Sequence, residues 1–273
     1  MAYEFENNAR AQFDHAILAS AVYDIDVDAK TVSFDLSTAN GKYLDDNYEI
    51  IEGNSNDAGY QGVLVKRRES EHYIVVNRGT TLKFDSPSNI GATLLDVGND
   101  ILLAFLGGTP QDDGALELYE SIPFGQNTSI SMTGHSLGGY LTGILYEWFG
   151  LTQEDSRLKH AYTFDGAGTS GMFSNLNFWR GLLGMEIVSS DPNANVTNIR
   201  TDEGPETTSS VGDYHGEMVN LKTNARSSDT ATTHGIDLLT DTLLVRTILQ
   251  EQNPNLANTQ FNQLLESVGT GEK

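Results

Sequence analysis

The stretch SISMTGHSLGGYLTGILYEWFG, residues 129–150, sets a strand pattern, a tight turn and a helix pattern in direct succession. Polar and apolar residues alternate over 129–133 and run into residues 134–138, which fit the sequence Gly-x-Ser-x-Gly. Apolar residues then recur at helical spacing up to Gly150, namely Leu137, Tyr140, Leu141, Ile144, Leu145, Trp148 and Phe149. This succession is the setting in which a serine hydroxyl stands clear of the backbone. We therefore predict that Ser136 is a nucleophile.

Strand and helix patterns alternate along the rest of the chain. Strands are predicted for a hairpin of 62–66 and 73–76, for the run Val32, Phe34 and Leu36, and for 159–165, 195–201 and 218–221. Helices are predicted over 9–23, over 91–106 and from Ile236 through Leu239, Leu243 and Leu244. This order favours an α/β fold with a mostly parallel central sheet flanked by helices. We expect a single domain over residues 1–273.

The bulk charge limits the possible partners. The chain carries 38 acidic and 16 basic residues, a formal net charge of −22. A surface of this sign repels nucleic acid phosphates and anionic membranes, so no nucleic acid partner is expected. The absence of cysteine excludes disulfides and thiol nucleophiles. We see no His-Glu-x-x-His or other histidine cluster, so no metal and no cofactor are predicted.

The apolar stretches bear on location. The longest one, residues 101–106, is too short to span a bilayer, and the acidic first residues do not resemble a signal peptide. We expect secretion by a route that uses no N-terminal signal peptide, with a cytoplasmic location as the alternative.

A nucleophilic serine needs a base, and the chain has six histidines. In α/β-hydrolases the nucleophile, the acid and the histidine follow one another in the sequence, which leaves His215 and His234. His234 follows a polar loop and opens the last long helix, so we predict that it is the base. His215 precedes a short strand, and local hydrogen bonds are expected for it.

The acid is expected directly after a strand that lies between the elbow and the histidine. Asp202 follows the predicted strand 195–201 and is our choice. Glu203 and Glu206 in the same loop, and Asp165 after the preceding strand, remain alternatives.

An oxyanion hole needs the N–H of the residue after the nucleophile, Leu137, and a second N–H from an earlier loop at a strand end. Residues 77–81, the sequence Asn-Arg-Gly-Thr-Thr, follow the strongest early strand. Gly79 allows a sharp turn there, and Thr80 is the predicted second donor.

Three segments together carry a family resemblance: VVNRGT at 75–80, TGHSLGG at 133–139 and AYTFDGAG at 161–168. They resemble the fungal-type, class 3 lipase family with its bacterial lipase and phospholipase A1 relatives. The resemblance implies an α/β-hydrolase fold, hydrolysis of acyl esters, a Ser-Asp-His triad, an oxyanion residue at Thr80 and a lid before the elbow. Two features depart from the family: Asn77 replaces a hydrophobic residue, and residues 201–206 replace the usual signature of the acid.

These patterns predict a serine carboxylic-ester hydrolase, a lipase-like enzyme of lipid degradation. The acyl chain is expected on apolar side chains of two lid-like insertions, 90–106 and 172–185, with Phe173 and Trp179 as binding residues. Ordinary buried core helices are the alternative for both segments. A transient contact with a lipid interface follows from such a substrate. Phospholipase A1, a short-chain carboxylesterase and an inactive binding module with this fold are the alternatives. The oligomeric state has no sequence signal.

Overall fold

The computed structural model describes residues 7–27, 32–56, 60–79, 110–152, 154–166, 168, 191, 193–202, 213–223 and 235–269. In these ranges the strands are β1 (Tyr48–Ser55), β2 (Gln61–Arg67), β3 (His72–Asn77), β4 (Ser129–His135), β5 (Leu158–Phe164), β6 (Val196–Thr201) and β7 (Glu217–Leu221). The helices are α1 (Ala9–Ala21), α2 (Ala39–Asn47), α3 (Pro110–Glu120), α4 (Leu137–Tyr146), α5 (Ile236–Gln252) and α6 (Asn258–Gly269). A π-helical turn, Glu147–Thr152, continues α4.

The strands form one seven-stranded sheet in chain order. β1, β2 and β3 pair antiparallel, whereas β3 to β7 pair parallel. The carboxyl ends of the five parallel strands therefore lie at one edge of the sheet. The predicted hairpin and the mostly parallel sheet with flanking helices are confirmed. Strand β1 escaped prediction because a register shift between Ile50 and Glu52 and its exposed residues interrupt the alternation.

Helices cover both faces of the sheet. On one face α1 and α5 enclose Ile74, Val76 and Phe164 in a shared core. On the other face α3 and α4 lie over Val75 and Met132, which point the opposite way from their strands. The alternation within β3 and β4 thus fixes which side chains face α1 and which face α4.

One sequence pattern was assigned to the wrong structure. Val32, Phe34 and Leu36 do not form a strand, because the Asp35 carboxylate accepts a hydrogen bond from the Ser37 N–H at 2.9 Å and closes a turn before α2. Leu36 is left 52% exposed.

The predicted apolar faces of two helices also need correction. Trp148 in the π-helical turn and Leu244 in α5 are each 36% exposed. The wider π turn takes Trp148 off the helical spacing on which the prediction rests. Helix α4 is buried on nearly all sides, since its glycines and Thr142 face backbone that a one-sided pattern does not reveal. The predicted helix 91–106 and the insertion 172–185 lie outside the described residues.

Candidate active site

Ser136 stands on a strained turn between β4 and α4. Its φ of 57° and ψ of −121° place a residue other than glycine outside the ordinary regions for L-amino acids. Holding a residue there costs on the order of 1–3 kcal/mol, so the surroundings must enforce it. The Ser136 N–H donates to the Phe164 carbonyl of β5 at 2.9 Å, and the Ser136 carbonyl accepts from the Tyr140 N–H at 3.1 Å. The turn holds Ser136 at the edge where the parallel strands end.

The glycines around Ser136 are demanded by close backbone approaches. A Cβ on Gly134 would overlap the carbonyl of Gly138, and a Cβ on Gly138 would overlap the carbonyl of Asn77. A Cβ on Gly139 would lie 3.0 Å from the Gly166 Cα. The Gly-x-Ser-x-Gly sequence therefore marks a place where neighbouring segments leave no room for side chains.

One predicted oxyanion donor, Leu137, lies at this turn, and the described residues that precede the other, Thr80, pass beside it. Leu137 is the first residue of α4, where N–H groups have no carbonyl partner within the helix. Gly79, just beyond β3, runs so close to the elbow that a Cβ on it would overlap the His135 carbonyl. Thr80 lies outside the described residues. The backbone that leads into it passes directly beside the elbow.

Asn77 joins the end of β3 to the elbow helix. It is fully buried, accepts from the Tyr60 hydroxyl at 3.0 Å and donates to Thr142 Oγ1 at 3.0 Å. Thr142 in turn donates to the Gly138 carbonyl at 2.8 Å. Partners on both sides thus satisfy the buried polar side chain of Asn77.

Two of the candidate carboxylates lie on the described strand ends. Asp202 directly follows β6, is exposed, and donates its backbone N–H to the Leu221 carbonyl at 2.8 Å. Asp165 directly follows β5, is 1% exposed and has a φ of 44°. The Asp165 carboxylate accepts the Thr201 N–H at 3.0 Å and so ties β5 to β6. Glu203 and Glu206 lie outside the described residues.

His215 is held away from the elbow. It precedes β7, and its Nδ1 accepts the backbone N–H of Asp191 at 2.9 Å, close to the amino end of β6. Its Nε2 lies 3.8 Å from a Glu147 carboxylate oxygen, and both side chains are buried. The bond to Asp191 is a local hydrogen bond of the kind that the sequence predicts for His215. His234, the predicted base, lies outside the described residues, as do Phe173 and Trp179.

Three other histidines form a buried layer between α1 and the starts of the parallel strands. This histidine layer consists of His15, His72 and His160 with Ser129, Ser131 and Thr197 as hydroxyl partners. Burial lowers the pKa of His15 to about 3 and that of His160 to about 4. Burial also holds the pKa of His72 well below its usual range. All three are therefore neutral at neutral pH.

The bonds within this layer fix the direction of each proton. His15 Nδ1 lies 2.7 Å from the Ala11 carbonyl and must donate, so its Nε2 accepts from Ser131 Oγ at 2.7 Å. Ser131 in turn accepts from His72 Nε2 at 2.9 Å, and His72 Nδ1 accepts from Ser129 at 2.8 Å. Both ring nitrogens of His15 and His72 are occupied in a one-way chain of hydrogen bonds.

The described residues carry neither a membrane-spanning helix nor a metal site. Within them no helix is both long and apolar enough to cross a bilayer. The same residues contain no group of three or more histidine, aspartate or glutamate side chains that could hold an ion.

A parallel sheet with helices on both faces and a strained serine elbow after β4 defines the α/β-hydrolase fold. Solved structures similar to the chain include the Lip2 lipase from Yarrowia lipolytica, with 17% identity, 74% of each chain covered and a TM-score of 0.42. A mono- and diacylglycerol lipase from Aspergillus oryzae has 14% identity, 74% of each chain covered and a TM-score of 0.44. A triacylglycerol lipase from Penicillium expansum has 13% identity, 81% of each chain covered and a TM-score of 0.43.

All three of these structures are lipases. No protein-family model and no curated protein sequence matches the chain. At this identity the similarity concerns the fold.

Sequence reasoning missed the side chains that hold the elbow from outside the motif. Tyr23 hydrogen-bonds His135, and Tyr60 hydrogen-bonds Asn77. Neither tyrosine lies near its partner in sequence, so no spacing could reveal the pair. The one available signal was the polar Asn77 at the end of an apolar strand, which needs buried partners.

Proposed function

We propose that the chain is a serine carboxylic-ester hydrolase that acts on acyl esters of lipids. The observation that carries the proposal is the strained backbone of Ser136, held at the carboxyl edge of the sheet by glycines that leave no space for side chains. Strain of this kind persists where the geometry serves function. A binding module with the same fold would gain nothing from it, so we favour an active enzyme over an inactive one.

In the proposed reaction Ser136 Oγ attacks the ester carbonyl while His234 takes the hydroxyl proton. Asp202 orients the imidazole and stabilises its charged form. The N–H groups of Leu137 and Thr80 donate to the oxyanion of the tetrahedral intermediate. His234 then gives its proton to the leaving alcohol, and water releases the acyl group by the same steps. The mechanism needs no cofactor.

The exposure of Asp202 and the burial of Asp165 bear on the choice of acid. The Asp165 carboxylate already accepts a hydrogen bond from the Thr201 N–H, and this bond holds the strand end that precedes Asp202. Asp202, one residue further, has its backbone fixed by the bond to Leu221. We therefore keep Asp202 as the acid and propose that the Asp165 carboxylate fixes the end of β6.

The substrate is proposed to be a medium or long acyl ester that rests on Phe173 and Trp179. Each buried methylene would contribute about 0.8 kcal/mol. Specificity constants for p-nitrophenyl esters from acetate to palmitate, and for a phospholipid, should rise with acyl length. A Trp179→Ser variant should flatten the rise. A profile that is flat or falls beyond butyrate and is unchanged by the substitution would favour a short-chain carboxylesterase, and turnover of the phospholipid above the neutral esters would favour a phospholipase A1.

A further inference from the structure

The hydroxyl of Tyr23 lies between the two backbone segments that build the site. Tyr23 follows α1, far in sequence from both β3 and β4. Its hydroxyl lies 3.1 Å from His135 Nδ1 and packs directly against Gly79, where an added Cβ would overlap the Tyr23 oxygen. His135 immediately precedes the nucleophile, and Gly79 immediately precedes the proposed oxyanion donor Thr80.

We propose that Tyr23 is a positioning residue whose hydroxyl sets the separation between the oxyanion loop and the nucleophile elbow. In this bridge the Tyr23 hydroxyl donates to His135 Nδ1 while the same oxygen packs against Gly79. One hydroxyl thus bridges the residue before Thr80 and the residue before Ser136. The bridge rests on the proposed function, because it acts through the oxyanion donors.

The space around Gly79 shows how closely the bridge fits. A Cβ on Gly79 would overlap both the Tyr23 hydroxyl and the His135 carbonyl. The N–H of Thr80 belongs to the rigid peptide group that begins with the Gly79 carbonyl carbon. Fixing Gly79 against Tyr23 therefore restricts where the Thr80 N–H can point.

Burial keeps Tyr23 in the form that the bridge requires, against the opposing effect of the Arg78 charge, which lowers the pKa of the Tyr23 hydroxyl. The Arg78 guanidinium lies 5.6 Å from the centre of the Tyr23 ring and also donates to the Gln61 side chain. Burial raises the pKa of Tyr23 to about 12. The hydroxyl therefore keeps its proton, and its role as a donor, throughout the pH range in which an ester hydrolase works.

The test compares Tyr23→Phe with Tyr43→Phe on a p-nitrophenyl ester. Tyr43→Phe is the matched control, since it also removes a hydroxyl that bonds a buried partner under α1, the Asp14 carboxylate at 2.8 Å, but has no contact with the elbow. Loss of one oxyanion donor typically costs 10²–10³-fold, so a displaced donor should lower kcat about tenfold in Tyr23→Phe, with KM nearly unchanged. Tyr43→Phe should keep the wild-type kcat, while both variants lose a similar amount of thermal stability.

Variants of His135, which accepts the hydrogen bond from Tyr23, give a second measurement that does not depend on the stability of Tyr23→Phe. His135→Asn keeps an acceptor close to the position of Nδ1 and should keep most of kcat, whereas His135→Leu should show the loss seen in Tyr23→Phe. Equal kcat for His135→Asn and His135→Leu, or wild-type kcat in Tyr23→Phe, would overturn the bridge.

Ser136→Ala, measured beside these variants, separates the two claims. An inactive Ser136→Ala together with a fully active Tyr23→Phe rejects the bridge alone. A Ser136→Ala protein as active as the wild type rejects the proposed function and, with it, the bridge that rests on it.

Discussion

Strand β4 begins in the histidine layer and ends at the serine elbow. Polar side chains have opposite roles at these two ends. At the start, Ser129 and Ser131 share hydrogen bonds with His72 and His15, and both ring nitrogens of each histidine are occupied. At the end, the backbone is strained and glycines bring three segments together around Ser136. A buried histidine whose bonds are all used has no capacity left for proton transfer, whereas the strained turn fixes the position of Ser136 at the carboxyl edge of the sheet.

The largest difference in kcat is expected between variants of two histidines, His234 and His215. His234→Ala should lower kcat on the order of 10⁴-fold because the serine would lose its base. His215→Ala should change kcat less than about tenfold, since its ring bonds the Asp191 backbone. Steady-state rates on one ester decide between them. If His215→Ala were the inactive variant, the assignment of the base would be wrong.

The carboxylates give the next largest contrast. Asp202→Asn should lower kcat on the order of 10³-fold or more, because the imidazole would lose its orienting charge. Asp165→Asn keeps an oxygen that can accept the Thr201 N–H, and asparagine tolerates the positive φ, so its kcat should fall much less. Glu203→Gln and Glu206→Gln complete the series. Whichever of the four variants matches His234→Ala is the acid, so this measurement can remove Asp202 outright.

A smaller effect is expected from crowding at the elbow. Gly138→Ala would press a methyl group into the Asn77 carbonyl and should lower the free energy of unfolding by about 3 kcal/mol. Gly125→Ala is the control, since its Cβ would meet only the Thr128 hydroxyl, at 2.9 Å, at the end of a side chain. Urea unfolding measures both. Equal stability of the two variants would contradict the tight packing of the elbow.

The histidine layer predicts a gradual effect of acid on stability. The folded-state pKa values of His15 and His160 are lowered to about 3 and about 4, while the unfolded histidines titrate near 6.5. The unfolded chain therefore binds more protons between pH 6.5 and 4, and stability falls as the pH falls, by about 1.4 kcal/mol per pH unit for each histidine. The raised pKa of Asp14 acts in the opposite direction.

Replacing a member of the layer isolates its share of this effect. In His15→Gln the amide can still bridge Ala11 and Ser131 but cannot be protonated, so the slope of unfolding free energy against pH should become smaller by one histidine's share. Arg67 and Lys159, whose charges also lower the pKa of these rings, are unchanged in the variant. Equal slopes of unfolding free energy against pH in wild type and variant would show that the histidine layer does not cause the loss of stability in acid.

Local sequence patterns predicted the elbow and the parallel strands, because a buried strand, a glycine-flanked serine and a helix each leave a recognisable pattern in the sequence. They could not show that α4 is buried on nearly all sides, since that depends on the glycines meeting backbone from β3 and β5. Edge strand β1 is half exposed and bulged, so its alternation is lost. The partners of Asn77 and His135 come from distant segments, which no spacing in one sequence reveals.

Covalent labelling by a fluorophosphonate tests whether Ser136 is an activated nucleophile. The protein is treated with a fluorophosphonate, and intact mass and peptide mapping locate the adduct, with Ser136→Ala treated in parallel. The account predicts one adduct, on the peptide that carries Ser136, and none in the variant, because only a serine with a working base displaces fluoride at a useful rate. An adduct on another residue, or equal labelling of wild type and Ser136→Ala, would contradict it.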